Sequence, residues 1–393
     1  YILLARDVTE RKQAELAQAT LQERLVLAFE ASNDAPWDWN PQTNELYMSA
    51  QWWRMVGEAD LGTTRNDDHF RQNYIHPDDA QIGVKVFRDA VAAQQTHYSF
   101  EFRLLHRDGH SIPVLVRARI NYDAEGRPVR VSGTHQDLTD IRKAQRRETV
   151  RSFLLNLLAQ DLSLPELLEQ TVAQLETSMP GSLCTILLLD DEHKHIQQGF
   201  GHSMPASFLH AFNGMAIGPN VGSCGASAHS GQPVYIADIA THPNWAPFRE
   251  IAQAAGLAAC WSQPVLLRDG QVAGTFAVYH RTVTEPHADD AQLLEMAARF
   301  VALAIERKQA ESELQLSAAV FENSSEGFLV TDAQQRIIKI NPAFSHITGY
   351  SAQDILGKTP SHLASGHQNR EFYANMWHEL HTTGQWQGEV WNR

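Results

Sequence analysis

The most reactive side chains in this sequence belong to three cysteines, Cys184, Cys224 and Cys260. They lie far apart and form no Cys-x-x-Cys pair, which argues against a disulfide framework or a structural zinc site and favours a reducing, cytoplasmic compartment. A thiol at Cys224 would suit oxidant sensing or covalent attachment of a cofactor. Cys260 would be its partner only if the fold brings the two together, and a small buried core residue is the alternative for each.

The 19 histidines are spaced in ways that indicate local structure rather than a metal centre. His193 and His195 lie two residues apart at the tip of a predicted hairpin, which favours an exposed turn. The run His76–Asp79 places a proline and two acidic residues where a helix begins, so it fits a helix N-terminus better than a metal or acid–base cluster. We therefore expect no catalytic residue and no metal site in this segment.

Charge and hydropathy narrow the classes of partner. Acidic residues outnumber basic ones by 46 to 32, for a net charge of −14, and no long basic run occurs. We therefore expect no nucleic-acid partner. No apolar run approaches the roughly 18 residues of a membrane span, and no signal peptide opens the chain. We expect no membrane contact in this segment, while a membrane segment upstream stays open.

A short repeat shows how the chain of 393 residues is divided. The run Asp-Val-Thr-Glu-Arg-Lys at 7–12 recurs at 137–143 as Asp-Leu-Thr-Asp-Ile-Arg-Lys. Each copy follows a strand-like stretch and begins a helix, with aspartate as a good N-terminal cap. The length suits two or three domains, so these helices are predicted to be linkers between them.

A third helix is predicted from Ala288 to Leu316, and its apolar residues step by three and four. Such spacing is typical of two arrangements, an amphipathic helix on its own domain or the seam of a parallel dimer. The residues of this seam are Leu294, Ala297, Val301 and Ala304.

Between the linkers, the patterns predict antiparallel sheets flanked by helices, an α+β fold in each of three segments. The first contains a meander over Tyr98–Leu104, Ile112–Ile120 and Pro128–His135. In the middle segment a capping box at Ser163 opens a helix before five strands. The third begins with a hairpin. Strand-like residues at both ends, Tyr1–Asp7 and Glu389–Arg393, suggest a piece of a longer polypeptide.

Motifs in these segments resemble known domain families. The first segment resembles a tryptophan-rich PAS domain through Trp37–Trp39, Ile75–Asp79 and Phe100–Asp137. The middle segment is similar to a GAF domain through Val221–Gly225, Val234–Asp238, Asn244–Trp245, Gly256–Pro264 and Gly274–Ala277. The third segment looks like a second PAS domain through Gly327–Asp332, Asn341–Phe344 and Ile347–Tyr350.

This resemblance implies tandem PAS, GAF and PAS domains, each an antiparallel sheet with flanking helices. We expect the end of a preceding PAS domain and a linker helix at 1–24, and a PAS domain at 25–140. A GAF domain with flanking helices is expected at 141–307. A linker helix and an incomplete second PAS domain are expected at 308–393.

The implied function is a sensory input module of a bacterial signalling protein. It would relay ligand or redox state through dimeric linker helices to an output domain in the same polypeptide. No GGDEF, EAL or kinase ATP-binding motif occurs, so the output is expected beyond Arg393. Cyclic-di-GMP synthesis or hydrolysis is the first expectation for it, and a sensor histidine kinase is the alternative. A ligand-free dimerisation scaffold is a competing hypothesis. So is a methionine sulfoxide reductase, which would need Cys224 beside Cys260.

The resemblance also indicates where ligands would bind. In the first segment, some of the tryptophans are expected to fill the cavity that holds ligands in other PAS domains: Trp37, Trp39, Trp52 and Trp53. In the middle segment, Gly218–Gly225 either turns the chain or faces a small anion. Cys224, Trp245 and Trp261 would wall a pocket there, with core packing of both tryptophans as the alternative.

In the third segment, Asn341, Trp377 and Trp386 resemble the flavin-binding region of some PAS redox sensors, although the same tryptophan stretch occurs in PAS domains with no known cofactor. Haem is a second expectation there, based on four histidines: His362, His367, His378 and His381. A photoreactive flavin–cysteine adduct is excluded in both PAS-like segments because neither contains a cysteine.

Overall fold

The computed structural model describes residues 9–32, 34–59 and 65–392, and the chain forms two compact units, residues 1–153 and 154–393. It confirms the predicted α+β fold, with antiparallel sheets and flanking helices following one another along the chain. The strand predicted for Tyr1–Asp7 lies outside the described residues. Within the described ranges, none of the helices has the length and hydropathy that a membrane span requires.

The first segment forms a six-stranded antiparallel sheet in the order β3-β2-β1-β6-β5-β4. Its helices and strands are α1 (Thr9–Ser32), β1 (Asp34–Asn40), β2 (Glu45–Met48), α2 (Ala50–Met55), β3 (Arg65–Asn66), α3 (Asp67–Tyr74), α4 (Ile82–Ala92), β4 (His97–Leu105), β5 (Ser111–Tyr122) and β6 (Pro128–Asp137). The predicted meander is confirmed as β4, β5 and β6. A 3₁₀ turn, Pro77–Asp79, follows His76 as predicted for a helix N-terminus.

Strict alternation along β5 explains the position of this core. Every second residue from Ile112 to Ile120 is buried, while the residues between them are exposed or half-buried. One face of the sheet is therefore apolar and is covered by α3, α4 and their connections. The helix α5 (Thr139–Leu158) begins directly after β6, because the Asp137 carboxylate accepts a hydrogen bond from the Thr139 amide at 2.7 Å.

The middle segment has a five-stranded sheet in the order β8-β7-β11-β10-β9. Its elements are α6 (Leu164–Ser178), β7 (Ser182–Leu189), β8 (Ile196–Phe200), α7 (Ala206–His210), α8 (Gly222–Ser230), β9 (Val234–Ile236), α9 (Arg249–Ala254), β10 (Ala259–Leu266), β11 (Val272–His280) and α10 (Ala288–Asn323). The capping box at Ser163 is confirmed. The central strand β11 is buried along most of its length because helices cover both faces of the sheet.

The apolar seam of α10 packs inside its own domain. Leu294, Ala297, Val301 and Ala304 have no exposed surface, and this part of α10 contacts α6, β10 and β11. Of the two predicted arrangements, these four residues therefore adopt the amphipathic helix on its own domain and do not form a dimer seam. Apolar residues spaced by three and four form an apolar face on a helix. This spacing does not show whether the same domain or a second chain covers that face.

The third segment contains a two-stranded hairpin and short helices. Its elements are β12 (Leu329–Thr331), β13 (Ile337–Ile340), α11 (Pro342–Thr348), α12 (Ala352–Ile355) and α13 (Arg370–Thr383). The hairpin confirms the prediction. Glu389–Trp391, predicted as a strand, is irregular, and Asn392 forms one isolated bridge with Ala364. With so few pairing partners in the described residues, this stretch lacks the ladder that makes a strand.

Candidate functional site

A cavity of about 300 Å³ lies between the sheet of the first segment and the helices that cover it. Its walls are mostly aromatic and aliphatic, with a few polar groups at one end. The sheet contributes Trp37, Trp39, Leu46, Met48, Tyr98, Phe100, Phe102, Val116 and His135, and the covering helices contribute Phe70, Ala80, Gly83, Val84 and Phe87. Concave apolar sites with a small number of polar groups are the usual form of small-molecule sites.

His135 is a buried titratable group of this cavity. It follows Val131 on the inward face of β6 and is 4% exposed. Its imidazole stacks against Trp37 with ring centroids 5.5 Å apart, and the edge of Phe102 approaches it at 5.6 Å. Burial lowers the pKa of His135 to about 3, so the ring is neutral at pH 7.

Two buried nitrogens of this pair have no hydrogen-bond partner among the described residues, Nδ1 of His135 and Nε1 of Trp37. Leaving a polar group buried without a partner costs about 1–3 kcal/mol, and most buried polar groups in folded proteins are paired. Both residues line the cavity, and the two nitrogens lie beneath its surface. The aromatic and aliphatic lining suits a planar apolar compound.

Gly133 keeps the Trp37 side of the cavity open. It pairs with Trp37 across β1 and β6, and a Cβ added to it would lie 2.3 Å from the Arg117 carbonyl oxygen and 2.9 Å from Cζ2 of Trp37. Only glycine allows this close approach of the indole to the sheet. Trp37 and Trp39 thus line the cavity without filling it, while Trp52 and Trp53 are fully buried and pack edge to face at 5.0 Å in the core.

The polar end of the cavity is formed by the first turn of α3. Arg71 contacts Asp67 at 3.1 Å and Asp68 at 2.6 Å, and Nδ2 of the Asn44 side chain donates to the Asp68 carboxylate at 3.3 Å. Burial raises the pKa of Asp67. Two carboxylates beside one guanidinium make this end acidic, so it favours a neutral or cationic ligand group over an anionic one.

The sequence patterns did not predict a functional role for His135. The available signal was a polar residue at an inward position of the strand predicted over Pro128–His135, where alternation calls for an apolar side chain. That strand leads directly into α5, since Asp137 caps the helix two residues later and the Leu138 amide donates to the Pro113 carbonyl oxygen at 2.8 Å.

In the middle segment, the fold brings Cys224 and Cys260 together. Cys224 lies on α8 and Cys260 on β10, and both side chains pack in the same core cluster. Sγ of Cys224 also lies 3.5 Å from the Tyr279 hydroxyl. Burial raises the pKa of both Cys260 and Tyr279. All three cysteines are buried and free, and Cys184 lies in β7.

The two tryptophans predicted to wall a pocket here do not share one. Trp245 packs in the same cluster as Cys224, and its Nε1 donates to the Ser223 hydroxyl at 3.1 Å. Trp261 follows Cys260 on β10, so its side chain points to the other face of the sheet. There its Nε1 donates to the Thr284 carbonyl oxygen at 3.2 Å. Both indoles are core residues with satisfied donors.

The glycine-rich loop of the middle segment bonds to itself. The Gly218 amide donates to the Gly225 carbonyl oxygen at 3.3 Å, and the Val221 amide donates to the Gly218 carbonyl oxygen at 3.2 Å. Gly222 begins α8 with a φ of +55°, a conformation that glycine adopts without strain. These contacts support the turning role of the loop rather than an anion site.

In the third segment, the Asn341 side chain stabilises the backbone. Its Oδ1 accepts from the Phe328 and Phe344 amides at 2.8 and 2.9 Å, and its Nδ2 donates to the Glu326 carbonyl oxygen at 2.8 Å. The amide predicted to meet a flavin ring is therefore engaged. The ring of Trp377 lies 5.9 Å from that of His381, and the ring of Trp386 lies 5.8 Å from that of Phe372. These residues do not fit a flavin.

The four histidines suggested for haem are all exposed: His362, His367, His378 and His381. A haem iron needs an imidazole that faces an enclosed apolar pocket. Helix α13, which carries two of the four, has no buried residue. The arrangement of these residues does not fit haem either.

Family models match three successive parts of the chain. A PAS fold model matches residues 45–135, a GAF domain model matches residues 161–306, and a second PAS fold model matches residues 316–391. The three matches follow one another in the order that the sequence motifs predicted.

The curated relatives are signalling proteins. The methyl sulfide methyltransferase-associated sensor of Methanosarcina acetivorans is 29% identical over 288 residues, 72% of this chain and 29% of that protein. The hybrid signal transduction histidine kinase A of Dictyostelium discoideum is 46% identical over 57 residues, 14% of this chain and 3% of that protein. The nitrogen fixation regulatory protein of Klebsiella oxytoca is 40% identical over 72 residues, 18% of this chain and 14% of that protein. The chain thus spans less than a third of each of these relatives.

Proposed function

Because this chain is a tandem array of a PAS, a GAF and a second PAS domain, a sensory module of signal-transduction proteins, we propose that the cavity of its first PAS domain is its sensory site. Binding of a small planar ligand in this cavity would alter β6 and, through β6, the linker helix α5. The two other predicted ligand sites lack this support, since their key side chains are engaged in packing or backbone hydrogen bonds.

The observation that carries this proposal is the position of His135. This residue is buried in the cavity wall as a neutral ring, its Nδ1 lacks a partner among the described residues, and it lies four residues before α5 begins. A buried polar group that folding leaves unsatisfied is typical of a functional position, because it costs stability.

The cavity also defines the ligand class. A volume of about 300 Å³ is at the lower end of small-molecule sites, so it suits a compound with one or two aromatic rings. Stacking faces are supplied by Trp37 and Phe70, and the acidic end near Asp67 and Asp68 favours an amine or a neutral donor over a carboxylate.

Coupling requires that the ligand prefer one of two arrangements of β6 and α5. A ligand shifts such an equilibrium only by its differential affinity, which is typically about 1–3 kcal/mol. The direct connection from His135 through the Asp137 cap to α5 gives a physical route for that difference. No second hinge is needed between the cavity and the linker.

We also propose that the chain dimerises through its linker helices, by residues other than the four of the α10 seam. Beyond Ile305, α10 exposes large aliphatic side chains, with Leu314 at 72% and Leu316 and Val320 close behind. The linker helix α1 does the same at Leu16 and Leu21. Two separate linkers with exposed leucines favour a second copy of this chain as the partner, since paired helices would cover both.

For the output, we propose phosphotransfer by a histidine kinase. The relatives that share these segments include a protein named as a hybrid histidine kinase and a nitrogen fixation regulator. The cyclic-di-GMP output expected from the sequence stays a prediction. Assaying the full-length protein for autophosphorylation and for cyclic-di-GMP turnover would separate the two outputs.

Thermal unfolding with small aromatic probes tests the sensory site. Benzylamine, indole and benzoate should be added to the 393-residue chain, and we expect benzylamine and indole, but not benzoate, to raise the unfolding temperature. In His135→Leu the shift should disappear, whereas Met48→Leu, an apolar change in the same cavity wall, should keep it. The proposal fails if no probe stabilises the wild-type chain, or if His135→Leu responds as the wild type does.

A further inference from the structure

Three side chains with metal-binding chemistry meet on the hairpin between β4 and β5, outside the cavity. His106, Asp108 and His110 alternate along the turn, and the His106 amide donates to the His110 carbonyl oxygen at 2.9 Å. Gly109 has a φ of +93°, which lets the chain reverse within this short loop. The hairpin geometry therefore places both imidazoles on the same side as the carboxylate.

Their donor atoms converge. Nδ1 of His106 lies 2.8 Å and Nδ1 of His110 lies 2.5 Å from Oδ1 of Asp108, and the imidazole rings stack with centroids 4.4 Å apart. One ligand atom from each residue lies within 4.8 Å of the other two, a grouping that no other set of these residue types achieves in the described part of the chain. Two imidazole nitrogens and a carboxylate oxygen thus face a common point.

Backbone contacts hold the hairpin in place. The Arg107 amide donates to the Val56 carbonyl oxygen at 3.0 Å, and the Arg107 guanidinium donates to the Gly57 carbonyl oxygen at 3.1 Å. A Cβ added at Gly57 would lie 2.2 Å from Nε2 of His106, so this ring is tightly packed on its far side. His106 is therefore held with Nδ1 toward Asp108, and the positive charge of Arg107 is anchored at Gly57.

From this geometry we propose that His106, Asp108 and His110 bind a divalent transition-metal ion of the Zn²⁺ type. Imidazole nitrogen and carboxylate oxygen are the ligands such ions prefer, at about 2.0–2.2 Å from the metal. The metal would take the place at which both imidazoles now meet the Asp108 oxygen, and water would complete the shell. The site has open positions and clamps the β4–β5 hairpin, which Arg107 ties to the end of α2.

The prediction of no metal site in this segment rested on the histidines at 76, 193 and 195. The alternation in His-Arg-Asp-Gly-His is the sequence signal for the cluster at 106–110. None of the three residues lines the cavity. The proposed metal site and the proposed sensory site can therefore be tested independently.

Isothermal titration of the metal-free 393-residue chain with Zn²⁺ tests the proposal. The wild type should bind Zn²⁺ at this site, and His110→Asn should weaken that binding by at least about tenfold. His97→Asn is the matched control, because His97 is an exposed histidine of the same domain outside the cluster and should leave the titration unchanged.

A second variant distinguishes the loss of a metal ligand from a change in the fold. Asp108→Asn keeps the size of the side chain but removes the carboxylate, and it too should lose about tenfold or more in affinity while the circular dichroism spectrum stays that of the wild type. Equal Zn²⁺ binding by wild type, His110→Asn and Asp108→Asn would overturn the proposal. Absence of Zn²⁺ binding by the wild type would do so as well, and would leave a hydrogen-bonded cluster only.

Discussion

The imidazole of His135 and the indole of Trp37 stack at 5.5 Å across two neighbouring strands, and both belong to the wall of one cavity. This pair connects the cavity of the first PAS domain to β6, the strand that the linker helix α5 follows. The stack depends on Gly133, which leaves no side chain under the indole. The cavity wall and the start of the linker helix therefore share the strand β6.

Replacing His135 by leucine should separate stability from function. The variant loses a buried polar group without a partner in the described structure, so we expect the free energy of unfolding of the first domain to stay equal or to rise by about 1 kcal/mol. Urea unfolding followed by tryptophan fluorescence measures this. Val131→Ala is the positive control, because Val131 is fully buried on the same strand. It should lower the free energy of unfolding by about 2 kcal/mol. A loss above about 2 kcal/mol in His135→Leu would mean that the imidazole is needed for the fold.

Asp79→Asn should destabilise the first domain. The Asp79 carboxylate accepts three hydrogen bonds from Arg103, from the amide, Nε and Nη2, each at 2.8 Å. We expect a loss of about 1–2 kcal/mol at pH 7, a moderate value because Arg103 is partly exposed. The neighbour Asp78, which is mostly exposed and contacts the same guanidinium at 3.2 Å, is the control, and Asp78→Asn should cost less than about 0.5 kcal/mol. Equal costs for the two variants would refute the assignment.

The pair of Asp79 and Arg103 should also make the stability of the first domain depend on pH. The hydrogen bonds from Arg103 lower the pKa of Asp79 from 3.8 to about 2. Because the folded-state pKa is the lower one, this stabilisation is fully present above about pH 4 and is lost as the pH falls through about 2. The difference in urea midpoint between wild type and Asp79→Asn should therefore shrink between pH 5 and about pH 2. A difference that stays constant over this range would contradict the role of the ionised carboxylate.

Two aspartate substitutions on α10 should have different effects. Val301→Asp buries a charge in the GAF core, so we expect it to unfold that domain, with a loss above about 3 kcal/mol. Leu314→Asp changes an exposed residue and should leave the unfolding curve within about 0.5 kcal/mol of the wild type, while it weakens self-association in sedimentation. If Leu314→Asp sediments as the wild type does, this part of α10 carries no dimer contact.

Mild oxidation should cross-link Cys224 to Cys260. One hydrogen peroxide would oxidise the two thiols to a disulfide and be reduced to two waters, through a sulfenic acid on one cysteine. Mass spectrometry of non-reduced peptides should find the 224–260 pair, slowly formed because both thiols are buried. Cys184→Ser is the control and should not change the product, whereas Cys224→Ser should abolish it. Recovery of only higher oxidation states would show that the two sulfurs cannot bond.

Local features were predictable because neighbouring residues determine them. Alternation along Ile112–Ile120 predicted β5 and its buried face, and the capping box at Ser163 predicted the start of α6. The motif groups likewise predicted three domains in the order that the family models match. In each case the signal lies within one element or one turn, so no distant contact was required.

Long-range contacts decided which residues line the cavity and which pack in the cores. The alternation that predicts a buried position on β6 does not say that His135 meets Trp37, because strand pairing places residues about one hundred positions apart side by side. Nor does helical spacing say that Val301 faces its own sheet. A sequence determines which faces of its elements are apolar, since that depends on side-chain period alone. Which surface covers each face, and which polar atoms are left without a partner, depends on how the elements pack, and only the tertiary structure determines that.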